Sequence, residues 1–278
     1  MSAVIFTSRA GRWQQRLDAI PPWAWLALQA AALWAHWRWA AARVVDGSDD
    51  PLGVAALAVL VIAVARLAPA LRGEPRPGWL AAALALSVAA TAAVFVLPPL
   101  AGALLAALAL ACGLAAVMPA GRPVLPLAGL ALLALPLISS LQFYAGYPLR
   151  VITAEASTCL LRVFGWAVQR SGASMVVEGR LVLVDAPCSG VQMVWMAYFC
   201  ACTVALVGAM PDRRWLRRLP AVGLIVLAGN TLRNRVLVAL QARGTVPEAL
   251  HQAIGGVVLA VVCTAVVAVM RGGRDARA

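Results

Sequence analysis

The sequence predicts an all-α polytopic membrane protein of about eight transmembrane helices, carrying an outer-face amphipathic helix and a small β-hairpin. Three observations lead there. Of the 278 residues, 63% are hydrophobic and only 12% charged, against about a quarter charged in a soluble domain. The mean hydropathy of +0.87 leaves too little polar surface to cover a water-soluble globule. The apolar residues also cluster into blocks of roughly 20, the length that crosses a ~30 Å hydrocarbon core.

The blocks that read as spans are 22–42, 52–71, 79–97, 99–118, 123–142, 189–210, 219–241 and 250–270. Trp23, Trp25, Trp37 and Trp39 flank the first, as interfacial aromatics do. Pro98-Pro99 divides the third block from the fourth. The first block begins near Pro22 with no small-residue cleavage site after a short apolar core, so no cleavable signal peptide is expected. Three regions follow: membrane helices in 1–142, an outer-face segment in 143–187, and the last three spans with their tail in 188–278.

The formal net charge of +12 comes wholly from arginine on the basic side, since the chain has no lysine. Such an Ala- and Arg-rich composition points to a GC-rich bacterial genome. The arginines sit between apolar blocks, which fits anchoring at anionic lipid and excludes a nucleic-acid surface as their main use. With the N-terminus inside, the inner side holds Arg9, Arg12, Arg16, Arg72, Arg76, Arg122, Arg213, Arg214, Arg217, Arg218, Arg271, Arg274 and Arg277. The outer side holds Arg43, Arg150, Arg162, Arg170, Arg180 and Arg243. Thirteen against six places both termini in the cytoplasm and requires an even number of spans.

The interval 143–187 has its own pattern. Leu149, Ile152, Leu160, Val163, Phe164 and Ala167 recur at helical spacing among charged residues, as in an amphipathic helix on the outer membrane surface. Met175–Val177 and Leu181–Val184 flank Glu178-Gly179-Arg180, a hairpin signal with Gly179 at the turn. The hairpin delivers the chain to Asp185-Ala186-Pro187-Cys188-Ser189-Gly190.

Most of the six cysteines (112, 159, 188, 200, 202, 263) lie in apolar blocks and read as small buried hydrophobes. Cys188 differs by its position. Asp185 is a suitable helix cap and Pro187 a suitable first-turn residue, which places Cys188 at the outer start of the sixth span. Unpaired amide N–H groups and the helix dipole favour a thiolate there. Arg233 lies ~20 Å along the seventh span from Pro220 at 1.5 Å per residue, and a membrane-embedded arginine is a functional candidate by default. It shares a helical face with Asn230, while Arg235 points about 200° away and can snorkel to the interface. His251 opens the eighth span behind Thr245-Val246-Pro247-Glu248, which reads as a capping box. His36, among tryptophans, reads as an ordinary interfacial residue. Cys200 and Cys202, two apart on a helix, make a poor metal pair. No metal or other cofactor is expected.

Cys188-Ser189-Gly190 opening a span, Asn230-Thr231-Leu232-Arg233 inside the next and His251-Gln252-Ala253-Ile254-Gly255 opening the last together resemble the exosortase/archaeosortase family of membrane transpeptidases. The likeness covers roughly residues 136–270, and the earlier spans match only in being hydrophobic. It implies a nucleophilic Cys188 with Arg233 and His251 as catalytic partners, and Asn230, Ser189 and Gln192 as substrate-binding candidates. It also implies exported protein substrates whose C-terminal sorting signal comprises a short motif, a transmembrane helix and a basic cluster. Cleavage is then expected at the outer face of a bacterial inner membrane, with transfer to an unknown acceptor.

The chemistry is coherent by itself, because peptide cleavage by a thiol needs a thiolate, an oxyanion stabiliser and a proton donor for the leaving amine. Two other classes remain open on the residues alone. A membrane thiol–disulfide enzyme would pair Cys188 with Cys159. A transporter or lipid-binding protein would hold an anionic group at Asn230 and Arg233.

Overall fold

A computed structural model describes residues 20–183, 189–241 and 247–272. Among them are ten α-helices and one small sheet. In chain order the helices are α1 (Pro22–Ala32), α2 (Trp34–Val45), α3 (Leu52–Leu67), α4 (Pro77–Val96), α5 (Pro99–Val117), α6 (Leu125–Leu133) and α7 (Ile138–Val163). Strands β1 (Val168–Ser171), β2 (Ser174–Val177) and β3 (Arg180–Leu183) follow, then α8 (Val191–Val207), α9 (Asp212–Gln241) and α10 (Glu248–Arg271).

Among the described residues, five helices are long and apolar enough to cross a membrane: α3 with its short 3₁₀ extension to Ala70, α4, α5, α9 and α10. The number becomes six if the bent pair α6 and α7 counts as one span. The chain is a multi-pass membrane protein, but eight full-length spans are not reached by this measure. Three of the expected blocks account for the difference.

The first block breaks at Leu33, with φ −92° and ψ 19°. The buried Leu33 packs with Ala90, Ala106 and Ala109, and the indole of Trp37 donates to the Ala30 carbonyl beside the break (2.8 Å). The fifth block turns by 96° between Leu133 and Ile138, where Pro136 has no N–H to give and restricts the residue before it. Its second half runs on without interruption into the expected surface helix, so residue 142 falls inside α7. The sixth block yields a helix of 17 residues. In the opposite sense, the seventh starts at Asp212 and carries Pro220 in its interior.

Polar contacts gather the helix ends into two sets. At one end Asp49 accepts from the Ser139 amide (3.2 Å) and pairs with Arg43 (3.7 Å). There, too, Asp50 accepts from Gln192 (2.9 Å) and Ser189 bonds Gln142 (2.8 Å). At the other end Asp212 caps α6 by accepting from the Val124 and Leu125 amides (3.0 and 3.1 Å). Arg76 donates to the Met118 carbonyl just past α5 (2.9 Å), and Arg218 donates to the Met270 carbonyl (2.6 Å). The bonds to amides and carbonyls satisfy backbone groups that a helix terminus leaves without an intrahelical partner.

Between these ends the main core is built from α5, α6, α8, α9 and α10, with Trp195, Leu127, Leu130, Val222, Val266 and Met270 fully enclosed. Small residues permit close approach, as TM packing requires. At Gly129 a β-carbon would stand 2.7 Å from Cys202 Sγ. His36 is likewise structural: it is buried, its Nε2 lies 3.0 Å from the Ala90 carbonyl, and it packs on Gly102.

A second core joins the sheet to the helices through Ala154, Leu161, Val168, Met175, Val177, Leu237 and Val238. β2 and β3 pair antiparallel with Val177 opposite Arg180. Glu178 (φ 49°) and Gly179 (φ 78°) form the two-residue turn, the pattern of a type I′ hairpin. β1 adds an unexpected third strand on the other side of β2 through a turn led by Gly172 (φ 59°). On α7, Ile152 and Val163 face outward, as the membrane-facing stripe of an interfacial helix does. Its buried face instead carries the hydroxyls of Thr153, Ser157 and Thr158.

The two sets of helix ends make sidedness testable. Asp46, Gln169 and Gly73 are exposed positions, and each is to be replaced by cysteine in a Cys159→Ala background. We expect the cysteines at 46 and 169 to react with a membrane-impermeant maleimide in intact spheroplasts, and the one at 73 only after lysis. The reverse pattern would invert the orientation read from the arginines.

Candidate active site

Gly190 is the residue on which the site is built. It precedes α8 in a left-handed conformation (φ 81°, ψ 6°), which a side chain disfavours. A β-carbon there would also stand 2.8 Å from Cγ and Nδ2 of Asn230. The turn leading into α8 is therefore pressed directly on the amide of Asn230, in the middle of α9. Asn230 in turn donates from Nδ2 to Thr153 Oγ1 on α7 (3.1 Å) and is 3% exposed. One amide thus ties three elements together in a place where water cannot substitute.

Ser189, also 3% exposed, reinforces the turn. Its Oγ donates to Gln142 Oε1 on α7 (2.8 Å) and accepts the Val191 amide (3.3 Å). This revises the expected cap. The helix begins at Val191 with Gly190 as its N-cap, and Ser189 is the side chain that serves its first amide. The left-handed Gly190 sets this start, three residues after Cys188 in the chain. Asp185, Pro187 and Cys188 themselves lie outside the described residues, and Cys188 precedes Ser189 in the chain.

One turn beyond Asn230, Arg233 reaches across to α10. Its Nη2 lies 3.3 Å from Nε2 of His251, and the guanidinium lies over Gly255, where a β-carbon would stand 3.4 Å from Nε and Nη2. A β-carbon at 255 would rest in van der Waals contact with the guanidinium. Arginine has donors only, so a hydrogen bond in this contact requires the lone pair on Nε2 of His251. His251 occupies the first turn of α10, its amide bonded to the Pro247 carbonyl (3.1 Å). The expected capping box takes another form. Pro247 is the N-cap, and Glu248 accepts from the Gln252 side chain (3.0 Å) instead of reaching back. Thr245 lies outside the described residues.

Arg235 is directed elsewhere, its Cζ 3.8 Å from the centroid of the Phe164 ring. Gln192 is exposed and bonds to Asp50. Cys159 lies exposed on α7 with its Sγ 3.8 Å from Glu155 Oε1. Among the described residues no three His, Cys, Asp or Glu side chains are grouped to hold a metal ion.

The chemistry-bearing contact therefore joins Arg233 and His251, and the buried amide of Asn230 joins Gly190 to the same helix. Residues 30–268 match the family model of the transmembrane exosortases. The chain belongs to the transmembrane exosortase family. The match begins at residue 30, so the family likeness extends through the early helices, well before the 136–270 expected from the motifs. Comparison with curated proteins and with solved structures gave no match.

Two residues of this exosortase-family site escape sequence reasoning. Gln142 and Thr153 both come from α7 and supply the partners of Ser189 and Asn230. A hydroxyl inside an interfacial helix reads as ordinary polarity. Only the fold shows that it faces inward.

Proposed function

We propose that this protein is a membrane cysteine transpeptidase or protease that cleaves the C-terminal sorting signals of exported proteins, with Cys188 as nucleophile. The site would open on the outer face of a bacterial inner membrane, and the substrate would present a short motif, a transmembrane helix and a basic cluster. The observation that carries the reading is the contact between Arg233 and His251, on consecutive helices, 18 residues apart in sequence and 3.3 Å apart in space. The turn that follows Cys188 packs on the helix of that arginine, through Gly190 and Asn230.

The resting contact dictates an order of events. Nε2 of His251 holds the lone pair that must take the Cys188 proton, and Arg233 occupies it. When a peptide carbonyl arrives, the guanidinium turns to that oxygen and releases Nε2. The imidazole then accepts the thiol proton and the sulfur attacks the carbonyl carbon, with Arg233 stabilising the oxyanion. Collapse breaks the C–N bond, the leaving amine takes the proton back from Nε2, and an acyl-thioester remains on Cys188. An amine acceptor or water attacks the thioester, giving its proton to Nε2 and returning the thiol. Asn230 and Ser189 are buried, so their contribution is to hold the nucleophile's turn, with Gln142 and Thr153 as their supports.

The test replaces each of the six cysteines by alanine in turn and follows a tagged substrate carrying a sorting signal by its gel mobility. Cys188→Ala should abolish processing while the other five leave it intact. Normal processing by Cys188→Ala would remove the nucleophile assignment. A requirement for Cys159 would favour a thiol–disulfide enzyme instead.

A further inference from the structure

At the end of the bundle remote from His251, a cavity of about 180 Å³ lies between the α8–α9 turn and the last turn of α10. Val204, Met210, Pro211 and Met270 form an apolar wall, and Arg214 and Arg271 stand on the polar side. Among the described residues no carboxylate lines it. The nearest acid in sequence, Asp212, has an oxygen engaged by two amides of α6. Arg213 and Arg217 are exposed on the same two turns of α9, which concentrates positive charge around the opening.

The cavity is framed by fixed groups. Arg214 and Arg218 both donate to the Gly272 carbonyl, and Arg218 also to Met270, so the end of α10 is held against α9. Arg271 has no hydrogen bond or ion pair among the described residues. A guanidinium beside a hydrophobic wall, at the shared ends of two candidate spans, suits a ligand that is anionic at one end and apolar at the other.

We propose that this cavity binds the phosphodiester of an anionic phospholipid, with Arg271 and Arg214 on the phosphate oxygens and the start of an acyl chain along Val204, Met210 and Met270. A guanidinium offers paired donors to phosphate oxygens. The apolar wall separates a lipid from free phosphate, because it gains only from a hydrocarbon chain. The site is remote from Arg233 and His251, and its occupancy does not depend on their chemistry.

The test titrates purified full-length protein in neutral detergent with phosphatidylglycerol, phosphatidylcholine or inorganic phosphate, counting bound molecules by native mass spectrometry. Phosphatidylglycerol should fill one site ahead of any others. Arg271→Gln should weaken that site about fivefold, the factor for one arginine at an anionic surface. Val204→Trp should remove it with every arginine retained, and circular dichroism establishes that this variant is folded. Unchanged binding by folded Val204→Trp, or by Arg271→Gln, would overturn the proposal in favour of diffuse surface charge. Inorganic phosphate binding as tightly as the lipid would overturn it in favour of a free-phosphate site.

Discussion

Arg233→Lys is expected to lower the processing rate by about 10²–10³, the usual loss when one oxyanion donor is removed, while Arg235→Lys leaves it nearly unchanged. Both variants keep a positive charge, so insertion and abundance should be equal for the two. The difference lies in geometry. Arg233 reaches Nε2 of His251 with one nitrogen and covers Gly255 with the rest of its planar group. An ammonium is a point charge on a flexible stem and cannot hold two acceptors in a fixed fork. Arg235 rests on the face of Phe164, a contact that lysine can also make. Processing rates at matched membrane levels decide the matter. If Arg235→Lys is the inactive variant, the catalytic arginine is wrongly assigned, and if both are active Arg233 is only a structural charge.

Gly190→Ala should cost roughly as much, through position instead of chemistry. A left-handed backbone with a β-carbon costs about 1–2 kcal/mol, and that carbon would also meet the Asn230 amide at 2.8 Å. Either the turn or the amide must move, and a misplacement of about 1 Å can cost 10²-fold in rate. The expected result is a loss of that order at nearly normal abundance. Asn230→Ala alone should also be slow, because Thr153 loses its partner. Combined with Gly190→Ala it should cost much less than the product of the two losses, since the clash disappears with the amide. Such non-additivity is the signature of two groups in contact. Strictly multiplicative losses would mean that Gly190 and Asn230 act separately, and the positioning role would fail.

These expectations rest on features of unequal visibility in the sequence. The hairpin was legible because Gly179, which suits a positive φ, stands between two short apolar runs. The shared face of Asn230 and Arg233 was legible from helical spacing, and an arginine inside an apolar run announces itself by its cost. The break at Leu33 was not, since no proline or glycine marks it and a buried leucine with a tryptophan bond creates it. Pro136 did mark the bend, but the apolar run around it reads as one continuous span. The start of α8 was misjudged because Asp185 and Pro187 are good helix-start residues. A left-handed Gly190 held by Asn230 overrides that local preference from 40 residues away in the chain. Gln142 and Thr153 were beyond reach for the same reason: their role depends on which face of α7 meets α8 and α9.

The central claim is that Cys188 becomes acylated. The most direct measurement incubates the membrane-reconstituted protein with a tagged substrate, stops the reaction in acid and looks for the tag bound covalently to the chain. The account expects an adduct mapped to Cys188 by peptide mass, released by neutral hydroxylamine as a thioester and missing from Cys188→Ala. Arg233→Lys should form it slowly. Substrate cleaved at the wild-type rate with no adduct at any time, or an adduct on another residue that persists in Cys188→Ala, would contradict it.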